Sequence, residues 1–211
     1  MLAEKYRQSL YATCKSLLGY DDMSLYTHGD VIKALESELP NKLVVMPRGT
    51  FKSTVSVVGY SIWSLLRNPN ERILIDSEVY ANSKNFLREI KGHLESPKLI
   101  SLFGEFKSPT NWNEGEITIK QRSKVYKEAS ITCGGIGTVK VGQHYSIIIE
   151  DDLNSQNNSQ TQEGRAKVIR HHQMNTAILD PNGTLVVVGT RYAQDDVIGF
   201  ILENEIGVKQ K

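Results

Sequence analysis

The chain has 211 residues, 39% of them hydrophobic and 23% charged, so it can build one sizeable core, and its net charge of +1 argues against bulk attraction to nucleic acid as its main activity. It contains no apolar run near the roughly 20 residues of a membrane span and no signal-peptide core at its start, so we expect neither a membrane-spanning nor a secreted protein. Cys14 and Cys133 are too few for a disulfide framework, so we expect reduced thiols in a soluble, cytosolic protein.

Apolar periodicity predicts a helix over residues 1–20 and a short helix over 30–36 with Asp30 as its N-cap. Further helices are predicted from Lys52 to about 67, at 81–94, at 163–178, and from a cap at Asp195 or Asp196 to about 202. Strands are predicted at 43–46, 72–76, 117–119, 129–133, 145–149 and 184–190, with a turn at 180–183. Near-continuous apolar strands that alternate with helices indicate a mainly parallel sheet covered on both faces, whose ligand lies beyond the strand carboxyl ends.

The segment after the strand at 43–46 has the arrangement of a phosphate-binding loop. Strand, tight turn and helix start bring backbone N–H groups toward phosphate oxygens, a lysine toward the outer phosphates, and a hydroxyl toward Mg²⁺. The candidate nucleotide-binding residues are Pro47, Arg48, Gly49, Thr50, Phe51, Lys52, Ser53 and Thr54. Two positions that are usually glycine hold Met46 and Phe51, so either the loop is distorted or Gly49 supplies the positive φ. An ordinary strand–turn–helix with a Ser/Thr cap is the alternative.

Two other predicted strands end in residues suited to the same chemistry. The strand at 145–149 ends in Glu150, Asp151 and Asp152, and carboxylates beside a phosphate loop can hold Mg²⁺ and polarise the attacking water. The strand at 184–190 ends in Thr190, whose hydroxyl can sense the terminal phosphate and pass its loss to a neighbouring segment. Solvated acids and a polar strand end are the plain alternatives.

These three motifs, in this order, resemble the ATPase domain of the large terminase subunit, the DNA-packaging motor of tailed bacteriophages. Further similar segments are 28–36 before the loop, 73–78 after it, and the run from Gly189 to Gly199. The resemblance covers about residues 26–202. It implies an α/β P-loop NTPase fold of the RecA, additional-strand type, with a mainly parallel central sheet flanked by helices on both faces.

Carried over by position, the resemblance assigns each motif a role. Lys52 contacts the β- and γ-phosphates, Arg48 also faces phosphate, and Ser53, with Thr54 as the alternative, binds Mg²⁺. The family tends to carry a glycine nine residues before the aspartate that binds Mg²⁺. Because Gly142 lies nine residues before Asp151, the resemblance makes Asp151 the metal ligand and Asp152 the general base. Glu150 with Asp151 is the alternative register. Lys140 is the candidate for a positive charge reaching a neighbouring subunit, and Thr190 couples phosphate release to motion.

The implied cofactors are ATP and Mg²⁺, and the implied partners are double-stranded viral DNA, the procapsid portal protein and the small terminase subunit. The chain would be a monomer in isolation, a homo-oligomeric ring when assembled, and located in the host cytoplasm. We expect one ATPase domain, with a helical lead-in over 1–40, a core over 41–195, the start of a lid or linker over 196–211, and no nuclease domain. A helicase- or recombinase-like ATPase and an assembly module without useful hydrolysis are the rival functions.

The sequence also contains features to which we assign no role in the site. His171 and His172 are expected on a solvated helix surface rather than at a metal, because neighbouring helix positions point about 100° apart. Basic residues on the predicted helix at 81–94 and around 120–127 are expected to be solvated rather than to form a DNA track.

Overall fold

The computed structural model of the protein describes residues 2–47, 49–138 and 142–205. Its helices are α1 (Leu2–Gln8), α2 (Leu10–Ala12), α3 (Leu25–Glu36), α4 (Tyr60–Arg67), α5 (Tyr80–Leu94), α6 (Pro97–Phe103), α7 (Gln162–Ala177) and α8 (Val197–Asn204). There are also two π-helical segments: Thr13–Leu17 directly follows α2, and Thr54–Gly59 directly precedes α4. Among these described helices none is long and apolar enough to cross a membrane.

Seven strands form one sheet in the order β1-β7-β6-β2-β5-β4-β3. They are β1 (Asn41–Val45), β2 (Ile73–Ser77), β3 (Lys107–Trp112), β4 (Glu116–Ile119), β5 (Ile131–Gly135), β6 (Tyr145–Asp151) and β7 (Leu179–Gly189). The first five strands in this order, from β1 to β5, pair in parallel. Strand β4 pairs with β5 in antiparallel orientation, and β3 pairs with β4 in the same way. Because β7 lies between β1 and β6, the sheet has the additional strand that the resemblance implies.

Alternation along the parallel strands divides the core between the two faces of the sheet. On β6, Ile147 and Ile149 face the cluster formed with α1 to α6 and the π-helical segments. Ile148 faces the other cluster, in which Val168 of α7 and Val197 of α8 pack against the sheet. The expected arrangement of helices on both faces is therefore confirmed.

The contact between the two π-helical segments joins the N-terminal helices to the helix that follows β1. Gly59 leaves no room for a side chain here, because a Cβ at this position would lie 2.3 Å from Cys14 Sγ. Cys14 is fully buried, and burial raises the pKa of its thiol to about 12, with the Glu36 charge acting in the same direction. The thiol is therefore packed as an apolar group between the helices.

Three expectations about local structure are wrong, and one strand was not predicted. The first helix is interrupted near Ser9, which caps α2 by accepting from Ala12 N at 3.2 Å. Helix α3 begins at Leu25, since Ser24 rather than Asp30 is its N-cap. The predicted turn at 180–183 lies within β7, where a register shift absorbs the extra residues. Strand β3 was missed because Pro109 removes one backbone donor, a loss that an edge strand tolerates.

Candidate nucleotide site

The described part of the loop between β1 and the helix that follows it contains two residues with positive φ. Gly49 has φ 78° and Phe51 has φ 55°, so the glycine takes a left-handed conformation and the phenylalanine takes one as well. Gly49 therefore supplies a positive φ, and Phe51, at a position that is usually glycine, adopts one as well. Thr50 Oγ1 donates to Pro47 O at 2.7 Å, and Val55 N donates to Phe51 O at 3.0 Å where the helix begins. Arg48 lies outside the described residues.

Lys52 joins the ends of three neighbouring strands. Its side chain is only 6% exposed, and Nζ lies 2.8 Å from Asp152 Oδ1 and 2.9 Å from Thr190 Oγ1. Lys52 follows β1, Thr190 follows β7 and Asp152 follows β6, so the strand order brings the three motifs together at the carboxyl edge of the sheet. These are the three side chains to which the sequence assigns phosphate contact, coupling and base catalysis.

Asp151 lies on the same face of the sheet as the loop helix and is almost fully buried. Burial raises its pKa to about 7 and the Asp152 charge adds to the rise, whereas a hydrogen bond with Ser53 and the Lys52 charge oppose it. Within the described part of the chain, Asp151 Oδ1 has no hydrogen-bond partner. A buried carboxylate with a free oxygen beside a serine hydroxyl fits the oxygen ligands of Mg²⁺. Ser53 and Asp151 could thus hold the ion, and Thr54 directly follows Ser53 in the chain.

Asp152 reaches the loop because the backbone turns at the end of β6. Its φ is 44°, a conformation that aspartate tolerates better than most residues, and its N–H donates to Val188 O at 2.8 Å. Strict alternation would send Asp152 to the face opposite Asp151. The left-handed turn instead places its carboxylate, 40% exposed, against Lys52.

Glu150 points to the other face of the sheet and does not take part in the site. Its side chain is fully buried and accepts from His172 Nδ1 at 2.6 Å and from Asn175 Nδ2 at 2.8 Å. The alternative register, with Glu150 and Asp151 as the acidic pair, would therefore need one carboxylate on each side of the sheet. The geometry favours Asp151 with Asp152.

The expectation of solvated histidines is wrong, because His171 and His172 are buried against the ends of β2 and β6. His171 Nε2 lies 2.7 Å from Asp76 Oδ2, and His172 Nε2 lies 2.6 Å from Glu205 Oε1. With the contacts of Glu150 they form a buried polar cluster of Asp76, Glu150, His171, His172, Asn175 and Glu205. In the described ranges, no group of three or more His, Cys, Asp or Glu side chains is arranged to hold a metal ion.

Both ring nitrogens of His172 face a carboxylate, so the charged imidazolium satisfies contacts that a neutral ring could not. Burial alone lowers the pKa of His172, but the charges and hydrogen bonds of Glu150 and Glu205 outweigh it and raise the pKa to about 10. The pKa of His171 is also raised, because the Asp76 hydrogen bond and charge outweigh the opposing effect of burial. A polar residue within an apolar strand, such as Asp76, was the available signal for this cluster.

Several surface lysines in the described part of the chain form ion pairs with acidic side chains. Lys84 Nζ lies 2.9 Å from Glu114 Oε2, and Lys120 Nζ lies 2.8 Å from Glu105 Oε2. Arg122 donates to the backbone carbonyls of Glu128 and Ala129 and so has a structural role. Lys140 lies outside the described residues.

No protein-family model matches the sequence, and no curated protein matches it in sequence. The fold is similar to that of the HK97 bacteriophage large terminase, with a TM-score of 0.62 and 13% identity over 95% of this chain and 41% of that one. It is also similar to a mutant large terminase ATPase domain of Thermus phage P74-26, with a TM-score of 0.58 and 12% identity over 93% of this chain and 76% of that one.

The fold is also similar to that of S. cerevisiae Dbp5 in a complex that includes ADP, with a TM-score of 0.55 and 14% identity over 92% of this chain and 49% of that one. The chain thus spans less than half of the HK97 and Dbp5 chains. At these identities the likeness concerns the fold. The resemblance predicted from the motifs is confirmed at that level: the chain has the P-loop ATPase fold, and large terminase ATPase domains share it.

Proposed function

We propose that this chain is the ATPase motor domain of a phage terminase large subunit, which hydrolyses Mg·ATP to drive double-stranded viral DNA into procapsids. The observation that carries the proposal is the convergence of Lys52, Asp152 and Thr190 at the sheet edge, with Asp151 beside Ser53. Phosphoryl transfer needs a cation for the phosphates, oxygen ligands for Mg²⁺ and a group that orients water. These five side chains supply one candidate for each role and one for coupling.

The contacts of Lys52 suggest how nucleotide binding would prepare the site. Lys52 Nζ holds Asp152 and Thr190, and a triphosphate would compete with both for its three donor hydrogens. Lys52 would turn to the phosphate oxygens, and the Asp152 carboxylate would become free to accept a proton from water. Thr190 would lie beside the terminal phosphate. Mg²⁺, when bound through Asp151 and Ser53, would neutralise phosphate charge.

The first test is Mg²⁺-dependent ATP turnover, measured over a wide range of protein concentrations for the wild type, Asp151→Asn and the exposed control Asp30→Asn. We expect turnover per subunit to rise with concentration, as it would if subunits of a ring complete each other's sites, with Lys140 as the candidate contributor. Asp151→Asn should lose turnover about 100-fold or more, and Asp30→Asn should not change it. Binding of ATP without turnover at any concentration would favour the assembly module.

The nucleic-acid partner needs a separate test, because the likeness to Dbp5 favours a helicase-like ATPase as the second candidate. We propose double-stranded DNA, the portal protein and the small terminase subunit as partners. Turnover should then rise with double-stranded DNA and with portal-bearing procapsids. Stimulation by single-stranded nucleic acid alone would point to the helicase-like function.

A further inference from the structure

His28 connects helix α3 to the phosphate loop. Its side chain is 4% exposed, and Nε2 lies 3.1 Å from the carbonyl oxygen of Thr50. On the other side of the ring, Nδ1 lies 3.2 Å from Ser24 N and 3.0 Å from Ser24 O. The ring also meets Phe51 edge to face, with centroids 6.2 Å apart and planes at 89°.

One neutral tautomer of His28 satisfies contacts on both sides of the ring. The carbonyl of Thr50 can only accept a hydrogen bond, so Nε2 must carry the hydrogen and donate it. Nδ1 is then free to accept from the Ser24 N–H, and the Ser24 carbonyl accepts from the backbone N–H of His28 at 3.0 Å. This tautomer is assigned from the partners of the two nitrogens. The hydroxyl of Ser24 caps α3 by accepting from Thr27 N at 3.2 Å, and Nδ1 adds to this cap, so the contact that capping does not explain is the one between Nε2 and Thr50 O.

The bond to Thr50 fixes the direction of the next amide. In a planar trans peptide the C=O and the following N–H point in opposite directions, so a Thr50 carbonyl held by His28 turns the Phe51 N–H away from α3. Phe51, whose N–H belongs to this peptide, and Gly49, two residues before it, both have left-handed backbone conformations. Successive N–H groups in such alternating conformations form concave nests that bind anions. Without the bond, the peptide could rotate and present a carbonyl oxygen to the phosphate.

We propose that His28 is a positioning residue of the phosphate loop, which holds the Thr50–Phe51 peptide so that the Phe51 N–H faces a bound nucleotide phosphate. The inference rests on the proposed function, since it assumes that this loop binds nucleotide. It assigns His28 no contact with the nucleotide.

Two nearly isosteric variants separate this role from a purely structural one. In His28→Gln the side-chain amide nitrogen can occupy the place of Nε2 and donate to Thr50 O. In His28→Asn the amide reaches only the place of Nδ1, so it can bond Ser24 but not the loop. The measurements are the Kd for Mg·ATP by titration of the full chain, kcat and KM for turnover, and the melting temperature.

We expect His28→Asn to weaken Mg·ATP binding and to raise KM about tenfold, the effect of one lost hydrogen bond, with kcat within about threefold of the wild type. His28→Gln should bind within about threefold of the wild type, while both variants melt within a few degrees of each other. Equal binding by both variants, or rescue by Asn but not Gln, would overturn the inference alone. A wild type that does not bind Mg·ATP would instead overturn the proposed function, and this inference with it.

Discussion

The buried polar cluster behind the site gives a prediction that does not depend on nucleotide. Replacing His172 by Phe keeps an aromatic ring that can still pack against Phe200, whose centroid lies 6.4 Å from that of His172. The variant removes both bonds of 2.6 Å and leaves the fully buried Glu150 carboxylate without its cation. Breaking a buried pair by removing one partner costs about 3–5 kcal/mol, so the melting temperature should fall by about 6–20 °C.

The assay is chemical and thermal denaturation, with Met174→Ala on the exposed side of the same helix as the control. Met174 is 51% exposed, so its truncation should change stability by no more than about 0.5 kcal/mol. Removing the facing charge as well, in the double variant E150Q/H172F, should restore part of the loss. A His172→Phe protein as stable as the Met174→Ala protein would refute the view that this cluster holds α7 to the ends of β2 and β6.

The charge of His172 also has a signature in pH. Its folded-state pKa of about 10 lies above the unfolded value of about 6.5. The stability that it contributes is therefore complete below about pH 6.5 and is lost as the pH rises toward 10, by up to about 1.4 kcal/mol per pH unit. Subtracting the curve of His172→Phe from that of the wild type isolates this contribution. A difference that is flat between pH 6.5 and 10 would contradict it.

Two further predictions concern close packing and catalysis. Gly59→Ala should destabilise the protein by about 1–3 kcal/mol because the new Cβ overlaps Cys14 Sγ, and Cys14→Ala should rescue part of this loss. The control Gly92→Ala, which has open space at its Cβ, should be neutral or stabilising. Equal free energies of unfolding for Gly59→Ala and Gly92→Ala would contradict this prediction. Asp152→Asn should lower ATP turnover about 100-fold or more. It should bind Mg·ATP at least as tightly as the wild type, because Lys52 no longer holds a carboxylate that competes with the phosphates. Undiminished turnover would show that Asp152 is not the general base.

Much of the fold could be predicted from the sequence, because the parallel strands are apolar on both faces and their helices have clear apolar spacing. Strands β1, β2, β6 and β7 lie near their predicted positions, and Asp196 caps the last helix, accepting from Gly199 N at 2.9 Å. The errors at Asp30 and at 180–183 have a different origin. Choosing between two possible caps, and between a turn and a bulged strand, depends on tertiary contacts that no local pattern contains.

The sequence predicts the candidate site as a set of residues but not its geometry. Spacing places Lys52, Asp151 and Thr190 at strand ends, and parallel strands bring such ends to one edge. The left-handed turn that brings Asp152 to Lys52 has no local signal, because aspartate adopts this conformation only occasionally. The burial of His172 was missed since its partner Glu205 lies 33 residues away in the sequence.

The measurement that tests the central claim most directly is binding of Mg·ATP to the wild type, to Lys52→Ala and to the exposed control Lys33→Ala. Lys52 Nζ is the buried cation at the carboxyl edge of the sheet, and it would contact the phosphates. We predict that the wild type and Lys33→Ala bind with the same Kd and that binding by Lys52→Ala is weakened 100-fold or more, about 2.7 kcal/mol. If Lys52→Ala binds Mg·ATP as tightly as the wild type, the loop after β1 is only a strand–turn–helix connection, and the proposed ATPase site is wrong.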